Sequence, residues 1–212
     1  MKRITLFVSL FLLLSNLLAQ KPGLELPLEK GYEYLLTVGY GGVVCPQMNG
    51  GIDQYHLGNN YYALDFGRPP NCAEPKILAA AAGTVIVSRN DPNGYGEFII
   101  IDHGNGYTTI YAHFKTRFKQ VNNYVQQGEV LGVMGTTGIS TGPHLHFALK
   151  KGESSVLPEP MSGYTNFTPG HYYKAGDYYV PPVPQDIKDK IDNFFYAHGL
   201  SLIHISEPTR PY

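Results

Sequence analysis

Residues 78–150 contain five short runs: LAAAAGTVIVSR (78–89), GEFIIIDHG (96–104), GYTTIYAHF (106–114), EVLGVMG (129–135) and HLHFALK (144–150). Each is rich in β-branched or aromatic residues and is bounded by Gly, Asn or Pro, the punctuation of short strands. This predicts a mainly β fold, a compact antiparallel, sandwich-like sheet assembly. Asn93-Gly94 and Asn105-Gly106 are hairpin-type dipeptides, because both residue types tolerate positive φ in a tight turn. The second should join FIIIDH to TTIYAH.

Composition agrees with this reading. A chain of 212 residues can close one ordinary core with short extensions. An apolar fraction of 43% against 16% charged excludes a disordered chain, and 24 Gly, 16 Pro and 17 Tyr favour strands and turns over helices. The formal net charge of -1 offers no basic field for a polyanion, so nucleic acid is excluded as a partner.

Residues 1–19 read as a signal peptide: Lys2 and Arg3 precede a predominantly apolar run from Ile4 to Leu14, with cleavage expected near Ala19. The run is short of the ~20 residues that span a bilayer, so no stable membrane insertion is expected after its removal. The mature chain is then expected to be secreted, periplasmic or extracellular. In such an oxidising compartment Cys45 and Cys72, the only cysteines, are expected to form a disulfide across the intervening loop.

The rest of the chain divides by texture. Residues 20–50, apolar but broken by Pro and Gly, read as an approach strand with loops. The main domain is expected over 51–181, with its core at 56–149. Residues 182–200 read as a PPVP spacer and an accessory helix, with Ile187, Ile191, Phe194 and Phe195 in helical rhythm and Gly199 to end it. The final stretch, SLIHISEPTRPY (201–212), resembles a translated sequencing adapter and is expected to be non-native.

Chemistry concentrates in three places. In GISTGPHLHFAL (138–149), His144 and His146 lie two apart in a strand, so alternation puts both imidazoles on one face and Leu145 on the other. Two such rings can reach one small ion, since imidazole nitrogen is a preferred zinc donor. In YHLGNNYYALDFG (55–67), Asp65 falls in an apolar strand where an unpaired carboxylate would be costly, and His56 precedes it. Two histidines and one carboxylate make three donors and leave zinc a fourth position for water, the mark of a catalytic ion. In TTIYAHFK (108–115), His113 is expected on the same strand face as Tyr111, where it could act as general base or oxyanion donor.

From about His56 to Leu149 the chain resembles the lysostaphin/LytM zinc peptidases. It shares the His…Asp pair, an A-x-x-G-x-V strand (Ala80, Gly83, Val85), a YAH motif and the terminal STGPHLHF, in the family order. The resemblance implies a zinc metalloendopeptidase that hydrolyses peptide bonds in bacterial peptidoglycan through a zinc-activated water. It further implies that His56, Asp65 and His146 bind Zn2+, with His113 and His144 as the catalytic histidines; spacing alone does not separate His144 from His146. The expected partners are stem or bridge peptides, met by a monomer, in a groove lined by loop aromatics such as Tyr61, Tyr62 and Tyr95. One departure concerns the first pair. The family often has H-x-x-x-D, whereas Asp65 here follows His56 by nine positions, with Asp53 and His103 as fallback donors.

Two other classes compete. One is a catalytically inactive peptidoglycan-binding or hydrolase-regulating scaffold of the same fold, against which stands the presence of all five polar positions. The other is a biotinyl/lipoyl-like carrier, suggested by YVQQGEVLGVMG (124–135), but no modifiable Lys occupies the following TTGISTGP (136–143).

Overall fold

The structure, a computed structural model, describes residues 20–176. The expected leader, spacer, accessory helix and tail lie outside the described residues. The strands are β1 (Glu33–Val38), β2 (Leu64–Gly67), β3 (Lys76–Leu78), β4 (Gly83–Asp91), β5 (Gly96–Asp102), β6 (Tyr107–Arg117), β7 (Tyr124–Val125), β8 (Val130–Met134), β9 (His144–Lys151), β10 (Ser154–Ser155) and β11 (Tyr172–Lys174). They hydrogen-bond in the order β11-β1-β2-β9-β6-β5-β4-β7, with β10 on β9 and a β3-β8 ladder attached to β6. Every pairing between these strands is antiparallel. The fold is the expected mainly antiparallel β assembly. The helical elements among the described residues are short 3-10 turns.

Alternation explains which face each strand buries. Along β9, Leu145, Phe147 and Leu149 enter the main core with Tyr111 of β6 and Leu64 and Phe66 of β2. His144 and His146, at the intervening positions, are thereby turned to the opposite face. The approach segment belongs to the same structure. Leu24, Leu26 and Leu28 alternate into the core, and β1 completes the sheet between β2 and β11. After Leu149 the chain is mostly loop, with the short β10 and β11.

Of the two hairpin dipeptides, Asn105-Gly106 takes the expected positive φ values, 54° and 74°. At Asn93-Gly94 the turn is built differently. The Gly94 N–H closes back on the Asp91 carbonyl at 3.1 Å, and the left-handed residue is Gly96, at φ 60°. A Cβ there would meet the Thr137 backbone at 2.3 Å, so glycine is required twice over.

The expected disulfide is not formed; Cys45 and Cys72 are both free thiols. The two are held on separate segments: the Cys45 N–H donates to the Thr37 carbonyl near the end of β1, at 2.8 Å, while the Cys72 N–H donates to the Pro69 carbonyl in the loop between β2 and β3, at 3.2 Å.

Two outcomes test this description. Thiol alkylation of the denatured, unreduced protein should label both cysteines. Tyr111→Phe should cost about 1–3 kcal/mol by denaturant titration, because the buried Ala80 N–H, which donates to the Tyr111 hydroxyl at 2.8 Å, would lose its acceptor.

Candidate metal centre

The β2–β9 register sets Asp65 directly opposite His146, and Gly67 opposite His144. On the other side of β9, His146 faces Ala112 of β6. Asp65, His146 and Ala112 therefore share a face, above a core built by the residues between them. His56 comes from outside the sheet, at the end of a 3-10 turn (Gln54–His56) whose start is capped by the Asp53 carboxylate accepting from the Tyr55 N–H. His56, Asp65 and His146 are all buried.

Strict alternation would keep His113 on the strand face of Tyr111, as the sequence suggested, and Tyr111 is in the core. His113 does not go there. A β-bulge sets Ala112 and His113 against the single residue Phe98, since Glu97 pairs with Phe114 and Ile99 with Tyr111. His113 takes a left-handed φ of 64°, uncommon for a non-glycine residue. Tyr111 and Phe114 both stay in the core, and His113 swings onto the site face. Its ring centroid lies 4.5 Å from that of His144 and 6.1 Å from that of His146.

Three atoms converge. His56 Nε2 is 3.1 Å from Asp65 Oδ1, His146 Nδ1 is 2.9 Å from the same oxygen, and the two ring nitrogens are 3.2 Å apart. Among the described residues this trio is the one cluster of its kind able to hold a metal ion. Tetrahedral zinc, with bonds of ~2.0–2.2 Å, needs donors roughly 3.3 Å apart, so the triangle is close to the required size. The donor set, two imidazoles and a carboxylate, suits zinc. His56 Nδ1–H donates to the Ala63 carbonyl at 3.2 Å, fixing the tautomer that turns a lone pair at Nε2 toward the centre. His146 Nε2 is buried without a hydrogen-bond partner. A buried ring nitrogen left unpaired in this way is costly.

The electrostatics favour a cation. Burial alone would raise the Asp65 carboxyl, but the nearby His144 and His56 and the close contacts of His146 and His56 with its oxygens hold it well below the usual carboxylate range. Burial pulls His146 down, while the Asp65 charge opposes it. In His56 the opposition wins: burial lowers it, and Asp65 raises it above its ordinary value.

The flanking histidines are held by backbone carbonyls. His113 Nδ1–H donates to Thr137 O and His144 Nδ1–H to Gly142 O, both at 2.8 Å. These bonds turn Nε2 of each ring into the site, and that of His144 stands 3.6 Å from Asp65 Oδ2. Burial, then the neighbouring His144, lowers His113 to about 4, so it is neutral at physiological pH.

All five histidine and aspartate positions singled out from sequence meet in one groove of about 950 Å³. Of the fallback donors, Asp53 serves as the turn cap and lines the groove. His103 is structural, bonded to Ala82 O and Thr109 Oγ1 at 2.7 Å each. Tyr95 lines the groove, as expected, but Tyr61 and Tyr62 do not; Tyr55 and Tyr172 do. Tyr61 and Tyr62 instead stack edge to face with one another, and Tyr62 on Tyr40. Sequence reasoning missed the two orienting carbonyls, which carry no side-chain signal, and Arg68, which also lines the groove.

The arrangement predicts one high-affinity metal site. Metal-stripped protein should take up one equivalent of zinc, and Asp65→Asn should weaken that uptake at least tenfold in a chelator competition.

Residues 59–158 match the family model described as Peptidase family M23. Asp65, His113, His144 and His146 fall inside the match and His56 just before it. The chain is 36% identical over 103 residues to the DD-carboxypeptidase/endopeptidase Mpg of Neisseria meningitidis serogroup B, covering 49% of this chain and 23% of that protein. It is 34% identical over 94 residues to the peptidoglycan DD-endopeptidase ShyA of Vibrio cholerae, covering 44% of this chain and 20% of that protein. The chain thus spans about a quarter or less of these relatives. A zinc-containing peptidase from Vibrio cholerae superposes with a TM-score of 0.51 at 26% identity, over 65% of this chain and 39% of that one.

Proposed function

We propose that this chain, whose residues 59–158 match the Peptidase family M23 model, is a secreted, monomeric zinc metalloendopeptidase that hydrolyses peptide bonds in bacterial peptidoglycan. The observation that carries the reading is the convergence of His56 Nε2, Asp65 Oδ1 and His146 Nδ1 within 3.2 Å of one another, beside two more histidines in an open groove. The substrate class is supported by the relative named a peptidoglycan DD-endopeptidase. The secreted location is supported by the leader-like first residues.

His56, Asp65 and His146 would hold the ion. Zinc supplies Lewis acidity, which polarises a peptide carbonyl and acidifies water. The protein's own groups do the rest. His113 is neutral, with Nδ1–H committed to Thr137 O, so its Nε2 can accept a proton as water attacks. His144, held the same way by Gly142 O, is the second acceptor. Either ring, once protonated, becomes a donor to the developing oxyanion or to the leaving amine. Asp65 has a double part, offering Oδ1 to the centre while Oδ2 faces His144. An inactive scaffold would not need both histidines kept as proton acceptors around an intact donor set.

Ligand and acid–base variants should separate cleanly. His113→Ala and His144→Ala should each retain about one zinc yet lose on the order of 10²-fold or more in kcat, read as soluble peptides released from purified sacculi by mass spectrometry. His146→Ala should lose both zinc and activity. Full activity of His146→Ala, or no peptide release by the zinc-loaded wild type, would sink the reading.

A further inference from the structure

The groove is unevenly charged. Histidines aside, Arg68 is the one basic residue among those lining it, whereas Glu33, Asp53 and Asp91 are acidic. Arg68 directly follows β2, so it continues the seam on which Asp65 pairs with His146 and Gly67 with His144. Its backbone N–H donates to Pro143 O at 3.1 Å, tying it to the residue before His144. Pro69 and Pro70 come next, and their fixed φ stiffens this shoulder.

The Arg68 side chain is exposed and under-used. Its hydrogen bond is a long one, NH1 to Ala73 O at 3.4 Å, and among the described residues no carboxylate lies within ion-pair distance of it. A guanidinium carries five N–H donors in a planar fork that matches a carboxylate. Arg68 therefore lines the groove with most of its fork unspent, while the acidic lining residues repel anions.

The order of the lining residues can be followed along the strand register. Tyr95, whose hydroxyl pairs with the Asn60 amide at 3.2 Å, leans on the His146 ring with centroids 5.4 Å apart. His146 and Asp65 come next, then His144 and Gly67, then Arg68. Three residues of strand separate Asp65 from Arg68, roughly 10 Å between Cα atoms. An extended substrate laid along this seam would bring a group two or three residues from its scissile bond to Arg68.

We infer that Arg68 is a specificity-determining residue that selects peptides carrying a free carboxylate on that side of the scissile bond, as in a crosslink through an unamidated diamino acid, over neutral bridges. The inference rests on the peptidase reading for its substrate class, but Arg68 touches neither the metal donors nor the reacting atoms.

The test uses the zinc-loaded chain and three substrates: a diaminopimelate-crosslinked muropeptide dimer with free carboxylates, the same dimer with those carboxylates amidated, and a glycine-bridged dimer. Wild type should favour the free-carboxylate dimer in kcat/KM by about tenfold, the size of one charge-assisted hydrogen bond. Arg68→Gln should erase the preference mainly through KM, leave the amidated dimer within about twofold, and leave zinc content unchanged. Arg68→Lys should restore part of it, because the charge remains while the fork is lost. Equal losses on all substrates, or no loss on any, would overturn the role of Arg68 and leave the peptidase reading standing. Should wild type cleave none of the dimers, the peptidase reading fails instead. Calorimetric binding of the free-carboxylate and amidated peptides to wild type and Arg68→Gln then decides the inference: an Arg68-dependent preference upholds it, and equal binding overturns it.

Discussion

The structure turns on one buried carboxylate. Asp65 sits in β2 between Leu64 and Phe66, both fully buried, in a position where a lone negative charge could not persist. It is tolerated because the β2–β9 register brings His146 directly opposite and a separate turn delivers His56 to the same oxygen. The remaining parts of the centre are arranged to serve this contact. Backbone carbonyls hold Nδ1 of His56, His113 and His144, so Nε2 is the nitrogen each of these rings offers to the site. A cation is the one species that meets all of these demands together.

A second constraint is local and costs the backbone something. His113 reaches the centre only because β6 carries an extra residue and His113 adopts a left-handed conformation. Strain of this kind, ~1–3 kcal/mol, persists where neighbours over-determine it. Here they do: the His113 N–H donates to Tyr95 O and its Nδ1–H to Thr137 O, while the core holds Tyr111 and Phe114 on either side. The bulge thus couples the 91–96 turn, the 136–143 loop and the sheet floor into one groove wall. Tyr95 adds a clamp from the opposite direction, joining the loop that carries His56 through Asn60.

Much of the fold was legible because short-range rules control it. The β-rich runs between residues 78 and 150 became β4, β5, β6, β8 and β9, and Asn105-Gly106 became the turn its chemistry demands. The contribution of residues 20–50 was less legible, since the leucines of that segment are spaced like a strand but its Pro and Gly content reads as loop; they enter the core at alternate positions all the same. The disulfide expectation failed because counting cysteines carries no distance. Two thiols that flank one loop in sequence are held on separate segments, Cys45 against Thr37 of β1 and Cys72 against Pro69 after β2. Tyr61 and Tyr62 misled for a similar reason, since their aromatic faces satisfy each other and Tyr40 rather than a ligand.

By itself the sequence determined the strand pattern, the shared face of His144 and His146, and the cost of a carboxylate in ALDFG, because each follows from the two-residue period of a strand and from burial of its apolar positions. It also determined, by resemblance, which five residues to gather. Only the tertiary structure decided how they meet. The β2–β9 register chose His146 over His144 as the partner of Asp65 Oδ1, the bulge reversed the face of His113, and the turn at 54–56 carried His56 across the nine-residue gap to Asp65. Each of these depends on pairing between segments far apart in the chain, and no local periodicity encodes such pairing.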